Sequence, residues 1–168
     1  MNAPANPNHV EAELRRRLYD SYKNRAMIYW HLFEELSAEL GAQRAEAVMK
    51  RAIRRRGEEV GRKFRPYAPK NLEGLKAAFL GDIPDEGRMF QPEVLQSSAE
   101  GLDIYFHRCP LREAWQEAGL SDELTATLCR IAAEVDYGTF EGAGFRFCAD
   151  TWQPGETGCC RLHIRPGA

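Results

Sequence analysis

The chain has 168 residues, 43% hydrophobic and 29% charged, with a formal net charge of −2. That is enough chain for one domain with its own core, and the composition reads as globular and soluble. No apolar run approaches the ~20 residues of a membrane helix, and the opening MNAPANPNH lacks the basic-then-apolar order of a secretion signal, so a cytoplasmic protein is expected.

The charge is uneven, +6 over residues 1–70 and −8 over 71–168. The arginine runs at 15–17 and 54–56 fall between apolar helical positions without interleaved aromatics. Solvated helix faces are therefore expected, and no nucleic-acid partner. The cysteines are 109, 129, 148, 159 and 160. An odd number without a secretion signal points to reduced thiols.

Residues 1–8 are expected to be a disordered lead-in and 9–168 a single α+β domain. Val10, Leu14, Leu18, Tyr22, Ala26, Tyr29, Phe33, Leu36 and Leu40 recur at steps of three or four, which predicts one helix over 9–40 with Asn8 as its cap. A second helix is expected over about 42–64. Its Gly57 and Gly61 leave a groove where a neighbour can approach closely. A short helix follows the cap Asn71 and stops at Gly81, and the turn-rich GDIPDEGRMFQP comes next.

EVLQSS and LDIYFHR, separated by AEG, read as a β-hairpin. PLREAWQEAG is a helix with proline in its first turn, and SDELTATLCRIAAEVD is another, capped by Ser121. GFRFCADT and CCRLHIR complete a second hairpin. Strands and helices are grouped, so the expected class is α+β: a helical N-terminal part on a four-stranded antiparallel sheet, with two further helices.

Period-two alternation puts Leu102, Ile104 and Phe106 on one strand face and Asp103, Tyr105, His107 and Cys109 on the other. Cys109 stands where a strand becomes a helix, and a helix N-terminus favours a thiolate. His107 is then a candidate base. Cys129 and Asp136 lie seven residues apart, on one face of a continuous helix. Asp136 there can hold a cation or an amidine. If CCRLHIR alternates regularly, Cys160, Leu162 and Ile164 face the core while Cys159, Arg161, His163 and Arg165 face away. Cys148 reads as packing beside Phe147. Cys109, Cys129, His107 and His163 are enough soft ligands for a divalent metal such as zinc, but none shows structural-zinc spacing. The sequence requires no cofactor.

RCPLREAWQEAGL, LCRIAAEVD and PGETGCCRLHI together resemble the L-2-amino-thiazoline-4-carboxylic acid hydrolase family. The pattern is Cys-Pro after a strand, then a helix with a cysteine and a downstream aspartate, then a terminal hairpin with a cysteine. The resemblance runs over about residues 90–165, and the helical N-terminal part is similar in layout only. It implies hydrolytic opening of a small cyclic amidine or thiazoline carboxylate at a carbon between nitrogen and sulfur. Implied roles are a nucleophile at Cys109, a proton carrier at His107 and an anion for the amidinium at Asp136. Arg108 or Arg161 would meet the carboxylate, and Cys129 and Cys160 would complete the site. The doubled Cys159–Cys160 departs from the family's single cysteine, and Cys160 is the expected match. The competing reading is a non-catalytic module of the same fold that binds a small ligand or a metal through its Cys and His residues.

Overall fold

The computed structural model describes residues 7–168. Helix α1 runs Pro7–Leu40 and α2 Ala42–Gly61. Gly41 turns the chain between them at φ +80°, a conformation glycine adopts without strain. The 3-10 turn Arg62–Tyr67 leads to α3, Leu72–Gly81, where the Asn71 side chain accepts from Gly74 N at 2.9 Å. Strands β1 (Pro92–Ser97) and β2 (Leu102–Phe106) form the first hairpin. Helices α4 (Pro110–Glu117), α5 (Asp122–Ala132) and α6 (Glu134–Ala143) follow, then β3 (Arg146–Asp150) and β4 (Arg161–Arg165). All pairings are antiparallel, in the order β1-β2-β4-β3. The α+β expectation holds.

Two apolar clusters fill the molecule. One lies between the sheet, α3 and α6, around Leu75, Leu102, Ile104, Phe140, Leu162 and Ile164. The other joins α1, α2, α4 and α5, around Ala26, Met49, Trp115, Leu128 and Ile131. Cys109 packs against both. Trp115, Leu128, Ile131, Phe147, Leu162 and Ile164 are buried, whereas Leu124 and Val135, at the two ends of the apolar stripe in SDELTATLCRIAAEVD, are only partly so.

Four expectations are corrected. The lead-in over residues 1–8 falls mostly outside the described residues, and Pro7 and Asn8 already belong to α1, so Asn8 is not its cap. The α1 stripe is buried only where α2 and α4 cover it: Ala26 and Phe33 are buried, whereas Val10, Leu14 and Leu40 stay exposed. Helix α2 ends three residues early, at Gly61, where the chain tightens into the 3-10 turn.

The fourth correction is SDELTATLCRIAAEVD, which is not one helix. It breaks at Ala133, and Asp136 N donates back only three residues, to Ala133 O at 2.9 Å. The glycine groove explains the new direction. A Cβ on Gly57 would lie 2.9 Å from Gly138 Cα, and one on Gly142 would lie 3.1 Å from Glu58 Cα. Without side chains at these positions α6 lies backbone to backbone on α2. Arg54 ties the pair further by reaching both Glu134 and Glu141.

Candidate active site

A partly open cavity of about 220 Å³ lies where the two clusters meet. Its walls are apolar, from Phe79, Phe90, Phe106, Leu111, Trp115 and Val135, and its polar groups are Arg25, Cys109, Cys129, Asp136, Cys159 and Cys160. Trp115 is fixed by donating from Nε1 to Ala26 O at 2.8 Å.

Cys109 is the residue before α4, with extended backbone at φ −147°, ψ 114°. Pro110 takes the first helical position, where a missing N–H costs nothing. No hydrogen bond of full capping geometry reaches the Cys109 sulfur, yet it sits close to the Leu111 and Arg112 amides. The adjacent Cys159 thiol, those amides and the Arg112 charge hold the Cys109 thiol below its ordinary value, against the opposing effect of burial. Burial raises Cys129. Cys159 is raised by its thiol neighbours Cys109 and Cys160 and by burial. Within the group the Cys109 thiol is thus the one shifted toward its thiolate, while Cys129 and Cys159 are shifted the other way.

Both thiols of the CC pair reach the cavity because the strand is bulged. Cys159 N donates to Phe106 O and Phe106 N donates to Cys160 O, each at 2.9 Å, so two residues oppose one. The alternation that would send Cys159 outward is lost there. Cys159 is buried, and its Sγ lies 3.1 Å from that of Cys160. The loop before the bulge is anchored at both ends. Trp152 Nε1 donates to Glu156 O at 3.0 Å, and Tyr105 Oη donates to Thr157 O at 2.7 Å. Gly158, at φ +78°, lies against the Tyr105 ring where no Cβ would fit.

Asp136 enters from the first turn of α6, not from the last turn of α5. An acid there is favoured by the helix dipole. Burial nonetheless pushes its carboxyl up to about 7, with Arg25 opposing the rise. Asp136 keeps some accessible surface, as a cavity-lining residue does. Arg25 comes from the middle of α1, its guanidinium 4.5 Å from the centre of the Tyr22 ring.

The cavity brings together Cys109, Cys129, Asp136 and Cys160 of the sequence-derived set, and it does not include His107, Arg108 or Arg161. The expectation that His107 and Cys109 share a face is not met. Strand β2 ends at Phe106, so alternation no longer applies beyond it. His107 is exposed and its Nε2 meets Glu93 Oε2 at 2.7 Å. Arg108 forms a two-point pair with Glu113, at 2.8 and 2.7 Å. Arg161 lies over the outer face of Tyr105. Cys148 is exposed rather than packed. His163 joins none of the cavity thiols: it stands opposite Cys148 on the outer sheet face, where it bridges Asp103 and Asp150. Among the described residues no group of three or more His, Cys, Asp or Glu is disposed to hold a metal ion, and no helix is long and apolar enough to cross a membrane.

Sequence reasoning missed Arg25, Tyr22 and the aromatic walls. Arg25 precedes Ala26, the most deeply buried residue of the α1 stripe. That neighbourhood was the available signal that its charge lies next to the core.

The fold and this cavity define an α+β domain with one thiol- and acid-lined recess between its two cores. The family model for L-2-amino-thiazoline-4-carboxylic acid hydrolase matches residues 21–164, and the chain belongs to that family. The match takes in α1 from residue 21 onward, and so includes Tyr22 and Arg25 as well as the C-terminal motifs. No curated protein and no solved structure matches the chain.

Proposed function

We propose that this chain hydrolyses a small cyclic amidine carboxylate, a 2-amino-thiazoline carboxylate or a close relative, at the cavity between the two cores. The observation that carries this reading is the presence of Cys109, Asp136 and Arg25 in one recess of about 220 Å³, a size suited to a five-membered ring bearing two substituents.

The roles follow from charge and protonation. Arg25 is the cation for the ring carboxylate, replacing the Arg108 and Arg161 that the resemblance implied. The apolar walls take the ring and exclude water from the reacting carbon. Asp136, at about 7, is partly protonated near neutrality and can give a proton to a ring nitrogen. The Cys109 thiolate adds to the carbon between nitrogen and sulfur while that nitrogen takes the proton. A ring bond at the same carbon then breaks. Water, losing its proton to Asp136, displaces the thiolate, so one water is consumed per ring opened. Asp136 thus takes the proton-carrying part that the resemblance gave to His107.

The test is incubation of the purified protein with L-2-amino-thiazoline-4-carboxylate, following the gain of one water by mass spectrometry. Turnover should fall as pH rises through about 7, where Asp136 loses its proton. An absence of any ring opening with this compound and with its imidazoline and oxazoline analogues would sink the proposal.

A further inference from the structure

The mechanism above uses one thiol, yet the cavity holds four, three of them in a row: Cys109 at the start of α4, Cys159 beside it, and Cys160 with its sulfur 3.1 Å from that of Cys159. Nothing in hydrolysis requires the second and third. A strand that ran regularly into β4 would have turned one of the pair away from the cavity. The bulge opposite Phe106 and the anchored loop before it keep both inside.

We infer that this row is an oxidation site for small hydroperoxides, in which Cys109 is oxidised and Cys159 captures the product as a Cys109–Cys159 disulfide. The first step is attack of the Cys109 thiolate on one peroxide oxygen. The O–O bond breaks, the sulfur becomes a sulfenic acid, and the departing hydroxide takes a proton to leave as water. In the second step the Cys159 sulfur attacks the sulfenic sulfur, a second water leaves, and the S–S bond forms. Hydroperoxide is the oxidant throughout, and two thiols are converted to one disulfide per peroxide reduced. An added dithiol reverses the change by exchange.

The geometry favours this pair over others in the chain. Cys109 faces the α4 amides, and Cys159 is the thiol lying against it. Cys129 lines the same recess from α5 but feels Cys109 only through charge, without the direct thiol contact that Cys159 makes, and Cys148 sits on β3 outside this recess. Closing the Cys109–Cys159 bond removes the nucleophile from the recess, so the proposed hydrolysis stops while the protein stays oxidised. This last consequence rests on the hydrolase reading; the disulfide itself does not.

The experiment uses the full chain with Cys148→Ser as background, reduced, cleared of reductant and exposed to hydrogen peroxide. Intact mass and peptide mapping then locate the modification. The expected result is loss of a hydrogen pair and a cross-link between the peptides holding Cys109 and Cys159, reversed by dithiothreitol. In Cys159→Ser, and equally in Cys159→Ala should serine disturb the bulge, the cross-link is lost. Cys109 then accumulates as a sulfenic acid trapped by a cyclic diketone probe, with labelling rising at least several-fold. A cross-link confined to Cys159 and Cys160, or peroxide uptake unaffected by Cys109→Ala, would overturn the inference. Because the readout is mass, it stands or falls without reference to turnover. Oxidation without loss of any hydrolysis found would reject only its link to the active site.

Discussion

The two faces of the sheet handle their polar groups in opposite ways. On the outer face the histidines and the acids beside them are held in ion pairs. His163 lies between Asp103 and Asp150 at 3.1 and 2.9 Å, Arg165 pairs with Asp103 at 2.5 Å, and His107 pairs with Glu93. On the inner side, at the end of the same strands, Asp136 has no hydrogen-bonding side chain acting on it. Its companions are thiols, and a single guanidinium opposes its rise. Paired groups are committed to the fold and have little left to offer a ligand. A half-buried acid without a donor is costly to hold in its charged form, and the partner it lacks is what a ligand can supply. The histidine-bearing face that looked reactive in the sequence is committed to ion pairs, and the thiol- and acid-lined recess lies on the other side.

The contrast is broken most directly by paired variants. Cys109→Ser should lower kcat/KM for a cyclic amidine by on the order of 10³-fold, as loss of a nucleophile does, whereas His107→Ala should stay within about threefold because His107 faces Glu93 and water. Comparable losses in both would erase the distinction between the faces. Next in size is Arg25→Met. It keeps an unbranched stem but removes the guanidinium from over Tyr22, and should raise KM by roughly 10- to 100-fold, the worth of a charge-assisted contact, with a smaller change in kcat. An unchanged KM would remove Arg25 from substrate binding.

Asp136→Asn sharpens the comparison through stability. Below the ordinary carboxylate range, about 4, Asp136 is protonated folded and unfolded alike, and the substitution has no electrostatic effect. Between there and about 7 the folded chain keeps a proton the unfolded chain releases, so the wild type loses stability as pH rises. The variant should therefore gain on the wild type across that window and be more stable above it. We expect a gain of on the order of 1–2 kcal/mol, less than the ~4 of an unscreened shift, since the carboxyl keeps some contact with solvent. Denaturant melts at the two ends of the window measure it, and a pH-independent difference would mean the carboxyl is not strained by burial. The smallest effect belongs to the outer face. His163→Ala should cost at most ~1 kcal/mol, typical of exposed ion pairs, and leave turnover unchanged. A large loss of activity would place chemistry on that side.

Where elements are regular, side-chain direction was legible from residue spacing. Leu102, Ile104 and Phe106 are buried as alternation requires, and Gly57 and Gly61 mark the groove into which α6 fits. The site was legible only in part, because it is built where regularity fails. His107 was assigned to the site by carrying alternation past Phe106, beyond the end of the strand. Cys159 was turned outward by the same rule, which the bulge breaks. Arg25 had no local signal of its own beyond the buried neighbour at Ala26.

The sequence alone determined the α+β class, the four strands, the caps at Asn71 and Ser121, the family and the Cys-Pro step before α4. Each of these depends on contacts between residues close in the chain, or on motifs read along it. The tertiary structure decided which polar groups face one another. The break at Ala133 aims Asp136 from a helix start, the docking of α1 brings Arg25 over residues more than a hundred positions later, and the bulge turns two adjacent thiols to one side. Such choices depend on how the two apolar clusters close against each other, and no local propensity records the space left between them.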